Sequence, residues 1–97
     1  MTVDLDNVSV RSCYMAILKE RRVRIEGLDI YYGLYELKAG VAKRYLIIVS
    51  DSDEMVCQDF ASLQTAEKFY ILVSENEVDT ASFDGIARDF LYANNML

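Results

Sequence analysis

The hydrophobic period of this chain changes once. Between residues 28 and 60 apolar side chains recur largely at every second position; beyond residue 62 they recur every third or fourth. A period of two puts side chains alternately on the two faces of a strand, whereas a period near 3.6 lines them along one stripe of a helix. A chain with one such switch is expected to fold as strands first and helices after, in the α+β class.

The strand half contains its own turns. Residues 8–19, VSVRSCYMAILK, support two readings. Alternation of Val8, Val10, Ser12, Tyr14, Ala16 and Leu18 indicates a strand, while Tyr14 to Glu20 suits a helix equally well. The strand is preferred, since the segment runs on into the alternating Arg22-Val23-Arg24-Ile25. Glu26-Gly27 is a tight turn, because glycine tolerates positive φ. In residues 28–38 Leu28, Ile30, Tyr32 and Leu34 share one face, and Asp29, Tyr31, Gly33, Tyr35 and Leu37 the other. A glycine inside a strand marks a bulge or a close backbone approach. Ala39-Gly40 reverses the chain again. Residues 41–50 form a third strand, apolar on both faces from Tyr45 to Val49 and therefore central. Asp51-Ser52-Asp53 is a turn, and residues 54–60 alternate as a short fourth strand.

The helical half begins at Ser62, a capping residue type. Leu63, Ala66, Phe69/Tyr70 and Val73 follow at helical spacing. Residues 69–73, FYILV, have β character, but the longer stripe favours helix. Ser74-Glu75-Asn76 ends it. A second helix opens at Asp79 or Thr80 and carries Phe83, Ile86, Ala87 and Phe90. Asp84 and Arg88 sit four apart, the spacing of a surface ion pair. Gly85 weakens this helix by about 1 kcal/mol relative to alanine, and Asn94-Asn95 ends it. The expected architecture is an antiparallel β-meander of three to five strands followed by two C-terminal helices packed on one face, leaving the other face partly exposed.

At 97 residues, 53% apolar and 27% charged, the chain is expected to form a single domain over 1–97. No apolar run reaches the roughly 18–20 residues that span a bilayer. The acidic start, Met1 to Asp6, lacks the features of a signal peptide, so a cytoplasmic protein is expected. Cys13 and Cys57 are far apart and form no C-x-x-C pair, which suits reduced, half-buried thiols. The chain has no histidine, the commonest general base and metal ligand near neutral pH. Neither a phosphate-binding glycine loop nor a supplied nucleophile–base pair is present. The expectation is a protein that is not an enzyme and needs no cofactor.

Charge is uneven. Residues 1–48 hold six acids and eight bases, a net +2; residues 49–97 hold ten acids and two bases, a net −8. The acidic half would repel phosphate backbones, so direct nucleic-acid binding is not expected. Asp51, Asp53 and Glu54 have calcium-loop character, but Met55, Val56 and Ser62 stand where an EF-hand needs an oxygen ligand, glycine and glutamate. A polar hairpin turn is the simpler reading. Glu75, Glu77 and Asp79 read as a helix end, a loop and a helix start, with Asp79 favoured by the macrodipole. Lys19, Arg21, Arg22 and Arg24 form a basic run too short for a nucleic-acid patch; it reads as a solvated strand end pairing with acids of the C-terminal half.

The pieces IYYGLYE (30–36), SDSDEMV (50–56), LVSENEVD (72–79) and GIARDFL (85–91) resemble a family of small uncharacterised clostridial-type (Firmicute) proteins with a domain of unknown function. The family pattern has Val-Ser-Pro before its last helix, where this chain has Val78-Asp79-Thr80. The resemblance spans about residues 28–91 and implies only strands followed by a helical C-terminal half.

Two functional expectations follow. A half-covered sheet bearing Tyr31 and Tyr35 as aromatic anchors points to a protein-interaction or regulatory module with a protein partner, which includes a homodimer. The acidic half, with Asp51, Asp53, Glu54, Glu75, Glu77 and Asp79, points alternatively to a phage- or mobile-element-type decoy that mimics nucleic acid, such as an anti-CRISPR protein.

Overall fold

The structure, a computed structural model, describes residues 13–96. Four strands, β1 (Cys13–Ile25), β2 (Leu28–Ala39), β3 (Ala42–Ser50) and β4 (Met55–Phe60), are followed by helices α1 (Leu63–Glu75) and α2 (Thr80–Ala93). The strands pair antiparallel in the order β1-β2-β3-β4, a meander with β1 and β4 at its edges. The α+β expectation thus holds, with four strands.

Turn chemistry sets the strand pairing. Glu26 and Gly27 both have positive φ, 50° and 82°, and join Ile25 to its partner Leu28. This is the pattern of a type I′ hairpin, whose twist matches that of the strands. At the next hairpin Gly40 alone is positive, at 61°, the first-position glycine of a type II′ turn. In the third turn Asp51 Oδ1 accepts from the backbone N–H groups of Asp53 and Glu54, both at 2.8 Å.

Of residues 8–19, those up to 12 lie outside the described residues; Cys13 onward is strand. The alternation expected through Leu18 does not survive. A bulge between Ile17 and Lys19 makes Leu18 an extra residue, with Ile17 opposite Tyr35 and Lys19 opposite Leu34. Beyond the bulge Arg21 and Val23 therefore share the side of Tyr32 and Ile30, and Glu20 and Arg22 share that of Gly33 and Tyr31.

The helices cover the face carrying Ile30, Tyr32 and Leu34 from β2, Tyr45, Ile47 and Val49 from β3, and Phe60 from β4, all buried. Against them stand Ala66, Phe69, Tyr70 and Val73 of α1 and Phe83 and Ala87 of α2. The chain's four phenylalanines gather where β4, α1 and α2 meet. Phe69 lies 5.0 to 5.6 Å, centroid to centroid, from Phe60, Phe83 and Phe90, within the favoured range for aromatic pairs. Residues 69–73 are helical despite their β character, because this stripe buries Phe69, Tyr70 and Val73 together.

The helix ends follow local rules. Ser62 Oγ accepts from Thr65 N–H and Asp79 Oδ1 from Ser82 N–H. Glu77 (φ 51°) and Asn95 (φ 59°) take left-handed positions past the helix ends. Val78 N–H then bonds the Val73 carbonyl at 3.0 Å and Met96 N–H the Leu91 carbonyl at 2.8 Å. Both are the long bond of a Schellman motif. The buried Tyr32 hydroxyl donates to the Val78 carbonyl at 2.9 Å, linking sheet centre to helix junction. Among the described residues no helix is long and apolar enough to cross a membrane.

Candidate interaction face

The opposite face of the sheet has no element packed on it among the described residues. From β1 come Met15, Ile17, Glu20, Arg22 and Arg24; from β2, Asp29, Tyr31, Gly33, Tyr35 and Leu37; from β3, Arg44, Leu46 and Ile48; from β4, Met55, Cys57 and Asp59. Leu37, Leu46 and Ile48 are half-buried by their neighbours alone. Met15, Ile17 and Met55 remain 56%, 54% and 69% exposed.

Read in register, the apolar members form a diagonal band. It starts at Met15 and Ile17 on β1, crosses Tyr35, Leu37, Leu46 and Ile48, and ends at Cys57 and Met55 on β4. Charged groups occupy the two corners beside it, and each is compensated in place. Arg24 pairs with Asp29 at 3.1 Å, and Arg44 with Asp59 at 2.7 Å. The Arg22 guanidinium lies 4.8 Å from the Tyr31 ring centroid. Glu20 accepts from the Tyr31 hydroxyl at 3.0 Å.

Tyr31 and Tyr35, the expected anchors, are indeed on this face, but they lie over it and do not project. Their hydroxyls meet at 2.6 Å, and the rings close over Gly33. A Cβ there would come within 2.6 Å of Tyr35 Cε1 and 2.7 Å of the Tyr31 hydroxyl oxygen. The close approach read from this glycine is thus made by two side chains of its own strand, while the bulge sits on β1. Burial, then the hydrogen bonds to Tyr35 and Glu20, push the Tyr31 phenol well above its ordinary range.

The basic run is divided by strand alternation. On the helix side Arg21 donates to the Ser74 carbonyl at 3.1 Å, near the C-terminus of α1, where the macrodipole favours a cation. Lys19 sits 3.8 Å from Glu67. Arg22 and Arg24 belong to the open face. The Asp84–Arg88 spacing yields no ion pair among the described residues, whose pairs within 4 Å are Lys19–Glu67, Arg24–Asp29, Lys43–Glu36 and Arg44–Asp59.

The acidic candidates gather around one pole. Thr80 Oγ1 lies 3.0 Å from Asp51 Oδ2 and 3.2 Å from Glu54 Oε1, joining the third turn to the start of α2. Glu77 and Asp79 line a recess there with Glu26. Several of these acids have work within the fold. Asp51 holds its turn, and the two N–H groups it accepts keep its carboxyl below the usual range. Asp79 caps α2, and Glu77 ends α1. Asp53 and Glu75 are exposed. No group of three or more His, Cys, Asp or Glu among the described residues is placed to hold a metal ion.

Cys57 is exposed, against the half-buried thiol expected. Sequence reasoning missed Met15, Ile17, Leu46, Ile48 and Met55 as members of one surface. Their alternation was visible, but the cross-strand register that brings them beside Tyr31 and Tyr35 was not.

Fold and site together define an α+β protein: a four-strand meander backed by two helices, with a mixed apolar and charge-paired face left open. Compared with known protein families, curated proteins and solved structures, the chain matches none of them.

Proposed function

We propose that this chain is a protein-interaction module without catalysis of its own, which docks a protein partner through the open face of its sheet. The observation that carries this reading is the diagonal band, where Met15, Ile17 and Met55 stay more than half exposed. Monomeric soluble proteins rarely leave contiguous apolar patches of more than a few hundred Å² exposed, and larger ones mark interaction sites. An apolar band crossing the sheet, flanked on both sides by compensated charges, has the mixed composition of a docking surface. The acidic-decoy alternative draws less support. Its acids gather at one pole, where Asp51 and Asp79 are already hydrogen-bonded within the fold.

The test compares capture from source-cell extract by the wild-type chain and by the Ile17→Glu/Met55→Glu variant. The partner should be lost from the variant and retained by Asp53→Asn/Glu75→Gln. Equal recovery by the first pair removes the open face as the docking surface. Loss only from the second variant would favour the acidic pole.

A further inference from the structure

The nature of the partner can be argued from the charge and size of the face. The whole chain carries a formal −6, so two copies repel over most orientations. The open face is different: Arg22, Arg24 and Arg44 stand against Glu20, Asp29 and Asp59, a net charge of zero. Two copies of an acidic protein meet there at little electrostatic cost. The corners also complement each other. Rotation by half a turn about an axis along the apolar band sets the Glu20/Arg22 corner of one copy against the Arg44/Asp59 corner of the other, and band against band.

Size is sufficient. Strands of 13, 12, 9 and 6 residues, at about 3.3 Å per residue and 4.8 Å per strand, present a face of about 600 Å² in projection. Two such faces bury about 1,200 Å², the lower bound for specific interfaces. Edge-to-edge pairing through β1 is a poorer alternative. The β1 edge is bulged and carries Lys19, Arg21, Arg22 and Arg24, so antiparallel pairing with itself opposes like charges.

Resting on the docking-face reading above, we infer that the occupant is a second copy of this chain, packed face to face about a two-fold axis in the plane of the interface. The dimer has a Kd of about micromolar order. Its affinity holds or rises as salt increases from about 0.05 to 0.5 M, since screening removes repulsion between the acidic remainders.

Sedimentation velocity of the full chain from about 1 μM to 1 mM should show monomer passing to dimer. Ile17→Glu and Met55→Glu, each at a position more than half exposed, should keep the wild-type melting temperature at concentrations well below the dimer Kd and weaken dimerisation roughly a hundredfold by burying an unpaired charge. In mixtures of isotope-labelled and unlabelled chains, intermolecular NOEs should link Ile17, Leu46 and Ile48 methyls to the other copy. A chain monomeric throughout overturns the inference, as does a dimer indifferent to both variants. A monomer whose band is shielded without intermolecular NOEs assigns the face to residues 1–12 and overturns it too. If the chain is monomeric yet extract capture still depends on Ile17 and Met55, only the second-copy assignment fails and the docking face stands.

Discussion

Tyr31 and Tyr32 are adjacent and chemically identical, yet they serve opposite faces. Tyr32 is buried at the sheet centre, where its hydroxyl has one partner, the Val78 carbonyl. Burial, reinforced by the nearby Glu77 charge, pushes its phenol up to about 12. A pKa raised above its unfolded value gives stability that is complete below about pH 10 and lost as pH climbs from there towards 12. Tyr31 and Tyr70 are raised in the same direction, burial being the largest cause for each. Thermal melts should therefore show the wild-type midpoint falling across pH 10–12. Tyr32→Phe should lower stability by about 1–2 kcal/mol at pH 7, because the Val78 carbonyl loses its donor, and should show a shallower alkaline decline. A pH profile unchanged by the substitution would mean that the Tyr32 phenol has the same pKa in the folded and unfolded chain.

At the scale of the element, the two helices carry correctable flaws. Gly85 sits inside α2, and a Cβ built on it meets nothing within 4 Å. Gly85→Ala should therefore stabilise by about 1 kcal/mol. Glu77 occupies a left-handed position that favours glycine, and Glu77→Gly should gain about 0.5–1 kcal/mol while preserving the Val78–Val73 bond. Urea titrations will check both; a loss at position 85 would mean that the outer surface of α2 is covered. Helix boundaries were legible because Ser62, Asp79 and Asn94-Asn95 act through neighbours a few residues away. The bulge was not. The run through Leu18 alternates without interruption, and only the demand that Lys19 pair with Leu34 and Arg21 with Tyr32 places an extra residue there.

At the scale of the molecule, Phe69 joins the layers, since it touches phenylalanines from β4 and from α2. Phe69→Ala should cost about 3–5 kcal/mol, a large part of the 5–15 kcal/mol typical of small domains. Calorimetry should show the cooperative transition lowered sharply or absent. Exposed Ile17, by contrast, should tolerate glutamate within about 0.5 kcal/mol. A small effect at Phe69 would show that the helices are not integral to the core.

Local chemistry in the sequence was enough to determine the strand-then-helix order, the turns at Gly27, Gly40 and Asp51, the split of Tyr31 and Tyr35 from Tyr32, and the helix caps. Each is decided by φ preferences or by side-chain period within a few residues. Tertiary structure alone decided the rest. Alternation divides each strand into two faces and puts Tyr31 and Tyr35 on the open one, but it cannot say which residues of the neighbouring strands stand beside them, because that depends on pairing register and on the bulge after Ile17. Register across the four strands, with α1 and α2 packed over Tyr32 and Ile47, made Met15, Ile17, Leu46, Ile48 and Met55 one surface.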